Sequence, residues 1–465
     1  MSDAAARSAQ GIANGEYTEA DVIVIGTGWA GLAAAVELVS AGFRPIVLEA
    51  APQFGGRARA IDVQINGAPA RLDNGQHLLV GAYAETLRLI GIVAGDVAQV
   101  LRRVPMQLTS VGGLSLRPPR WPAPWHLLAG MLTAGGLSIA QKLSIISLLA
   151  RLRLSGWRVP HGIDVAAWLA NAGQSQALVT LFWEPLCVAT LNTPIESACA
   201  QTFAYVLRDT LGADRAASDF LLPVATLSEV FPLPAERWLR ARGAQLIRRC
   251  LVSSLAPSPT GWLVQTASGP MAARQVVLAT PPGNAARLLA GTLPAGALAS
   301  LRRFDYEPIA TIYLGWPASP AVTLPPWIML TEQAAQQWHG QWLFARGEAN
   351  GQTIAAVVIS ARGRALLASD GAAGMPGESL GTAISSQVSG QLRLPPAATV
   401  RVIVEKHATF RCSPDRPRLQ ADALSTVAPQ LWLAGDYVWP DYPATLEAAV
   451  RSGVAAARWC LAEPR

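Results

Sequence analysis

Three glycines and one acid carry the first chemistry of this chain. Gly26, Gly28 and Gly31 stand in the string Gly26-Thr27-Gly28-Trp29-Ala30-Gly31, and Glu49 lies 18 residues past the last of them. Gly26 permits a tight turn, Gly28 lets backbone N–H groups approach a pyrophosphate, and Gly31 allows a helix to pack closely on a strand. Trp29 and Ala30 sit in the turn that opens that helix, whose N-terminus supplies positive potential for phosphates. An acid near this offset accepts hydrogen bonds from ribose hydroxyls.

The elements that must position these groups surround them. Asp21-Val22-Ile23-Val24-Ile25 is a β-branched apolar run, the mark of a buried parallel strand. Ala33 to Leu38 holds helix formers, Gly42 ends the helix, and Arg44 to Leu48 is a second strand. Strand, glycine turn, helix, strand and acid together predict a βαβ dinucleotide site rather than a bare structural turn.

The residues just past the acid select the dinucleotide. Gly55-Gly56-Arg57 adds backbone donors and a guanidinium suited to phosphate oxygens. This resembles the FAD-binding signature of the flavin amine oxidase and carotenoid desaturase superfamily. Near the C-terminus, Leu431 to Asp436 is a strand ending in Gly435-Asp436, and Pro443-Ala444-Thr445-Leu446-Glu447 opens a helix. The resemblance implies that Gly435-Asp436 serves the ribityl–pyrophosphate region, with Thr445 and Leu446 at the flavin's pyrimidine end. A helix N-terminus there stabilises the charge of a reduced flavin. It also implies that the backbone of Val252 lies on the adenine, and that His77 lies near the flavin ring. The cofactor expected is FAD.

Composition sets the bounds. Half of the 465 residues are hydrophobic and 15% are charged, a lean surface for a chain this long. The net charge of +6 rests almost wholly on arginine, since Lys142 and Lys406 are the only lysines, and it carries no nucleic-acid reading. The five cysteines are scattered without a C-x-x-C pair, which suggests neither a disulfide framework nor a metal site and fits a reducing, cytoplasmic compartment. Residues 1–19 are polar, lack a signal-peptide apolar run and read as a mobile tail.

Residues 97–163 hold eight basic side chains and no Asp or Glu. Between Arg120 and Lys142 runs an uncharged, Trp- and Leu-rich stretch broken by prolines and glycines, a poor membrane span. Two readings stand side by side: helices lying in the interface of an anionic leaflet, peripheral on the inner membrane, and the apolar cap of a substrate domain. Elsewhere, Asn66-Gly67 predicts a hairpin turn, Thr193-Pro194 a helix start, and Cys250-Leu251-Val252 a short strand. The Gly-rich loop from Asp370 to Gly377 lacks a dinucleotide fingerprint, and no separate NAD(P)H domain is found.

The resemblance narrows on Asp73-Asn74-Gly75-Gln76-His77, Trp183-Glu184-Pro185-Leu186, Leu191-Asn192-Thr193-Pro194, Val206-Leu207-Arg208-Asp209, Ser218-Asp219, Leu221-Leu222-Pro223 and the Pro443–Gly453 stretch. Together these resemble the hydroxysqualene dehydroxylases, also called squalene-associated FAD-dependent desaturases, from about residue 20 to the end. Asp436-Tyr437-Val438-Trp439-Pro440-Asp441-Tyr442 departs from the Trp-Thr-rich string expected there. The resemblance implies reductive removal of the hydroxyl of hydroxysqualene, a polyisoprenoid, in hopanoid synthesis. Such a site needs one proton donor in an apolar tunnel, where burial raises a carboxyl pKa. The candidates are Asp73, His77, Glu184 and Asp209.

The fold implied is α/β: a discontinuous Rossmann-like FAD-binding domain of the glutathione reductase type over 20–100, 215–290 and 405–465. A substrate domain of mixed sheet plus helices, some membrane-facing, takes 101–214 and 291–404. An amine oxidase would share the cofactor site, yet neither lysine sits where a lysine serves flavin N5 in that group. A carotenoid-type desaturase differs only in the direction of electron flow. A prenyl-lipid escort protein would not need the phosphate glycines, Glu49 and Gly435-Asp436. Electrons for a reductive step would come from an external donor or reductase.

Overall fold

In the computed structural model the described residues are 18–319, 322–361 and 376–463. The expected tail therefore lies outside them as far as residue 17, and Thr18 already begins a strand. The Gly-rich loop lies outside them up to residue 375, and Pro376 opens the helix Pro376–Leu392.

Seven strands build the larger sheet, in the order Gln245–Ile247, Ile46–Leu48, Thr18–Ile25, Gly269–Leu278, Gly261–Thr266, Val252–Ser258, with Leu431–Leu433 also on Gly269–Leu278. The first four and Leu431–Leu433 run parallel; the other two form an antiparallel meander. Val22, Ile23 and Val24 are fully buried, as their β-branched run requires of a strand covered on both faces. Helix Trp29–Ser40 is buried nearly all round, pressed between this sheet and helix Leu446–Ala462. Gly453 makes that approach possible, because a Cβ there would stand 2.0 Å from the Ala30 carbonyl oxygen.

The second sheet is antiparallel, ordered Trp327–Met329, Trp342–Ala349, Gln352–Ser360, Tyr306–Pro317, Thr399–Phe410. Its last strand passes through the boundary drawn at 404/405 and ends at Phe410. A three-stranded sheet of Leu79–Val80, Phe220–Pro223 and Leu101–Val104 and a helical region complete the molecule. That region includes helices Trp125–Thr133, Ile139–Leu154, Glu184–Leu191 and Ala200–Leu211 and a π turn over Val179–Trp183. Among the described residues no helix is long and apolar enough to cross a membrane.

Three local expectations resolve differently or in full. Ala60–Ile65 and Ala68–Asp73 pair through Asn66 and Gly67, both at positive φ, so the hairpin forms as its Asn-Gly turn predicts. No helix begins at Thr193-Pro194. Asn192 is left-handed and ends Glu184–Leu191, and the Thr193 hydroxyl donates to the Leu191 carbonyl and accepts from the Cys412 N–H. The capping groups are thus spent before the next helix starts at Ala200. Cys250 and Leu251 are not a strand either: the Cys250 N–H donates to the Glu49 carbonyl, and pairing begins at Val252.

Candidate cofactor and active site

The glycine turn joins the C-terminal ends of the parallel strands. Gly26 has φ +100°, and a Cβ on it would meet the Ala279 carbonyl oxygen at 2.4 Å. A Cβ on Gly31 would lie 1.9 Å from the Gly26 carbonyl oxygen, so this glycine sets the helix-to-strand approach. Gly28 differs: its backbone is extended, at φ −61° and ψ 174°, and nothing lies within 4 Å of a Cβ built there. Open space at the N-terminus of a buried helix is the cradle a pyrophosphate needs. Gly55 and Gly56 close its far side. Gly55 N–H donates to the Thr27 carbonyl at 2.9 Å, and Gly56 holds φ +62° with its would-be Cβ 3.0 Å from Gly28 Cα.

Trp29 and Ala30 are the first two residues of the helix that begins here. The Trp29 indole donates to the Ala58 carbonyl at 3.1 Å and packs on Phe231, ring centroids 5.0 Å apart. Glu49 is anchored at the end of Ile46–Leu48, its carboxylate accepting from the Thr27 N–H at 2.9 Å, the Thr27 hydroxyl and the Ala51 N–H at 2.8 Å. Val252 begins the strand immediately after the segment that bonds the Glu49 backbone.

The motifs at opposite ends of the chain meet directly. Arg57 Nη2 donates to both Asp436 oxygens, at 2.9 and 2.8 Å, and Nη1 donates to the Ala408 carbonyl at 2.7 Å. Gly435, at φ +152°, donates its N–H to the Ser452 hydroxyl at 2.8 Å, which ties this turn to helix Leu446–Ala462. Thr445 caps that helix by accepting from the Ala448 N–H at 3.1 Å, while half-buried Leu446 opens it. Glu447, fully buried, accepts from the Glu85 and Thr86 N–H groups, the Thr86 hydroxyl and Arg451, and so caps the helix Ala84–Ala94.

Of the eight buried side-chain polar atoms without a protein partner among the described residues, four lie on residues next to these motifs in the chain or in space. Arg59 Nε comes after the Gly55-Gly56 turn, Thr280 Oγ1 stands next to Gly26, Gln76 Oε1 precedes His77, and the Tyr437 hydroxyl comes after Asp436. Buried groups of this kind need partners. Together with the open cradle at Gly28 they fit a dinucleotide with a polar ring end.

The four candidate proton donors have distinct surroundings. Asp73 is 1% exposed; its carboxylate accepts from the Leu227 N–H at 2.7 Å and from Arg346 at 3.0 Å, and the Tyr313 hydroxyl donates to its carbonyl. Burial, opposed by the Arg346 guanidinium, pushes this carboxyl up to about 6. His77 Nδ1 lies 2.9 Å from the Gly75 carbonyl oxygen, and burial, opposed by that contact and assisted by Arg57 and Arg346, lowers its pKa. That ring is neutral near pH 7, with Nδ1–H donating and Nε2 an acceptor. Half-buried Glu184 is the first residue of its helix, directly after the π turn. Asp209 accepts from Arg208 at 2.6 Å and from the Tyr442 hydroxyl.

Several contributors carry no sequence signal. Arg346 is one. Another is the aromatic group Phe304, Phe410 and Tyr437, with ring centroids 5.7 and 5.5 Å apart, beside which Tyr306 packs on His407 at 5.3 Å. Tyr306 stands close enough to Arg57 and Asp436 to feel both charges. Of the tyrosines, Tyr437 and Tyr442 lie in a string the sequence marks, and there as a departure.

Known proteins resemble this chain in sequence and in fold. The family model described as flavin containing amine oxidoreductase matches residues 29–461. The chain is 30% identical to the hydroxysqualene dehydroxylase of Rhodopseudomonas palustris, covering 96% of this chain and 99% of that protein. Identity to the hydroxysqualene dehydroxylase of Sinorhizobium fredii is 28%, over 95% and 99%. Cyclohexylamine oxidase from Brevibacterium oxydans superposes with a TM-score of 0.67 at 17% identity, covering 95% of this chain and 98% of that one, a likeness of fold. The chain is a flavin-dependent oxidoreductase that belongs to the flavin-containing amine oxidoreductase family and, within it, to the hydroxysqualene dehydroxylases.

Proposed function

We propose that this protein uses FAD to reduce hydroxysqualene to squalene in hopanoid synthesis, drawing electrons from an external donor or reductase. The observation that carries this reading is the flavin cradle in a chain that belongs to the hydroxysqualene dehydroxylases. Of the two lysines, Lys142 donates to the Leu132 carbonyl out on the helical region. A cavity of about 430 Å³ is lined by the apolar residues Val104, Pro105, Met106, Pro118, Leu222, Pro326 and Trp327 and by the polar residues Arg102, Gln107 and Arg117. It opens beside the three-stranded sheet whose strand Leu79–Val80 comes just after His77.

Bound in its reduced form, FAD supplies the hydride that replaces the departing water. The chain has three tasks: to seat a long apolar tail, to exclude bulk water, and to hold one proton for the leaving hydroxyl. Among the candidates Asp73 has the acidity for that proton, near 6. His77, held neutral, offers Nε2 as an acceptor that orients the hydroxyl. Glu184 and Asp209 stand on helices of the apolar side.

The test is anaerobic incubation of pre-reduced protein with hydroxysqualene and analysis for squalene, in wild type and in D73N, H77Q, E184Q and D209N. Loss of the proton donor slows turnover by about 100-fold or more. Near-normal turnover in all four removes these side chains from the role. No squalene from reduced protein, with desaturation of a polyisoprenoid by oxidised protein, assigns the desaturase reaction instead.

A further inference from the structure

We propose that helices Trp125–Thr133 and Ile139–Leu154 form a docking face for an anionic lipid leaflet, with Ile139–Leu154 lying in the plane of the interface. Helix Ile139–Leu154 is apolar on two opposite faces. Its inner face buries Ile145, Leu148 and Leu152. Its outer face carries Ile139, Leu143, Ala150 and Leu154, at positions i, i+4, i+11 and i+15, which fall within about 60° of one another on a helix. All four are exposed, Ile139 at 76% and Leu154 at 88%, the reverse of what water favours for branched apolar side chains. A second exposed apolar patch lies on the neighbouring helix and the segment just before it. Trp121 and Trp125 are 55% and 60% exposed and, with Leu132, line a shallow apolar groove of about 470 Å³.

Charge identifies the occupant. Lys142, Arg151 and Arg153 flank the outer stripe, and each donates to a backbone carbonyl, of Leu132, Ala172 and Gly212, rather than to a carboxylate. Among the described residues none of the three forms an ion pair, and the stretch 97–163 contains no acid. Exposed apolar residues bordered by cations, with tryptophans at the rim, match the headgroup boundary of an anionic bilayer. A second copy of the chain fits poorly, because a two-fold contact through this face would set those cations against each other.

The face also borders the cavity beside the three-stranded sheet. Pro118 lines that cavity and packs under helix Trp125–Thr133, where a Cβ on Gly130 would stand 2.8 Å from Pro118 Cα. A seated protein would receive a lipid substrate without exposing it to water. That benefit rests on the proposed reaction; the docking does not.

Flavin-loaded full chain is sedimented with phosphatidylcholine vesicles and with vesicles containing about one-third phosphatidylglycerol. We expect binding to the anionic vesicles at low salt, release at high salt, and affinity for neutral vesicles lower by about tenfold or more. The surface variant I139S/L143S/L154S keeps its melting temperature and flavin content, and its vesicle binding falls by about tenfold or more. No binding at low salt, or equal binding by the variant, overturns the proposal. So does a dimer in solution that the variant dissolves, which gives the face to a second copy. Both readouts are independent of squalene formation, so failure of the proposed reaction leaves them intact.

Discussion

Asp73 concentrates the residue-scale physics of the site. It is buried, bonded on both oxygens, and still pushed up to about 6 from its ordinary 3.8, because desolvation outweighs Arg346. Between about pH 4 and 6 the folded protein holds a proton that the unfolded chain has shed. Stability from this group is therefore present below about 4 and is lost as pH rises through about 6, by on the order of 3 kcal/mol for a shift of this size. The measurement is the melting difference between wild type and D73N across pH 4 to 7, which should move in favour of D73N as pH rises. A difference constant with pH contradicts the assigned environment. Asp73 itself is marked in the sequence by the Asp73-Asn74-Gly75-Gln76-His77 string that carries the resemblance. Its partners do not, since Arg346 and Leu227 lie 273 and 154 positions away and no local pattern joins them.

At the scale of elements, the glycine turn separates fold from binding. Gly31 is needed by the backbone, whereas Gly28 faces only open space in an extended conformation that alanine adopts freely. Gly31→Ala should cost about 2–3 kcal/mol of stability through overpacking against the Gly26 carbonyl. Gly28→Ala should change the stability of the flavin-free protein by less than about 0.5 kcal/mol, yet weaken FAD binding about tenfold or more by filling the pyrophosphate cradle. Chemical denaturation and flavin titration of the two variants check this pairing; a destabilised but normally binding Gly28→Ala would contradict it. The βαβ unit and the Asn-Gly hairpin are legible in the sequence because strand, turn and helix signals act over a few residues. The helix expected at Thr193-Pro194 does not form, for a physical reason. A capping hydroxyl serves whichever backbone group is nearest, and there it serves the end of the preceding helix and Cys412.

At the scale of the molecule, the cradle is assembled from residues 26–57 and 435–446, which the Arg57–Asp436 pair, the Gly435–Ser452 bond and the close Gly453–Ala30 contact lock together. Flavin bound there would bridge both ends of the chain. Stripping it should lower the melting temperature, and restoring FAD at about 100 times its dissociation constant should return about 2.7 kcal/mol. Calorimetry of stripped and reloaded protein measures this, and an unchanged transition would place the cofactor elsewhere. By themselves the residues specified the nucleotide turn, its acid, the partner strand and helix at the far end, and the basic, apolar character of 97–163, because each is written in local spacing or composition. Tertiary structure alone decided that Asp436 grips Arg57, that Asp209 meets Tyr442 and Asp73 meets Arg346. It also turned one apolar stripe of Ile139–Leu154 inward and left the other facing out. Those outcomes depend on which distant segments the sheets bring together, and burial, not spacing, then sets the charge of each group.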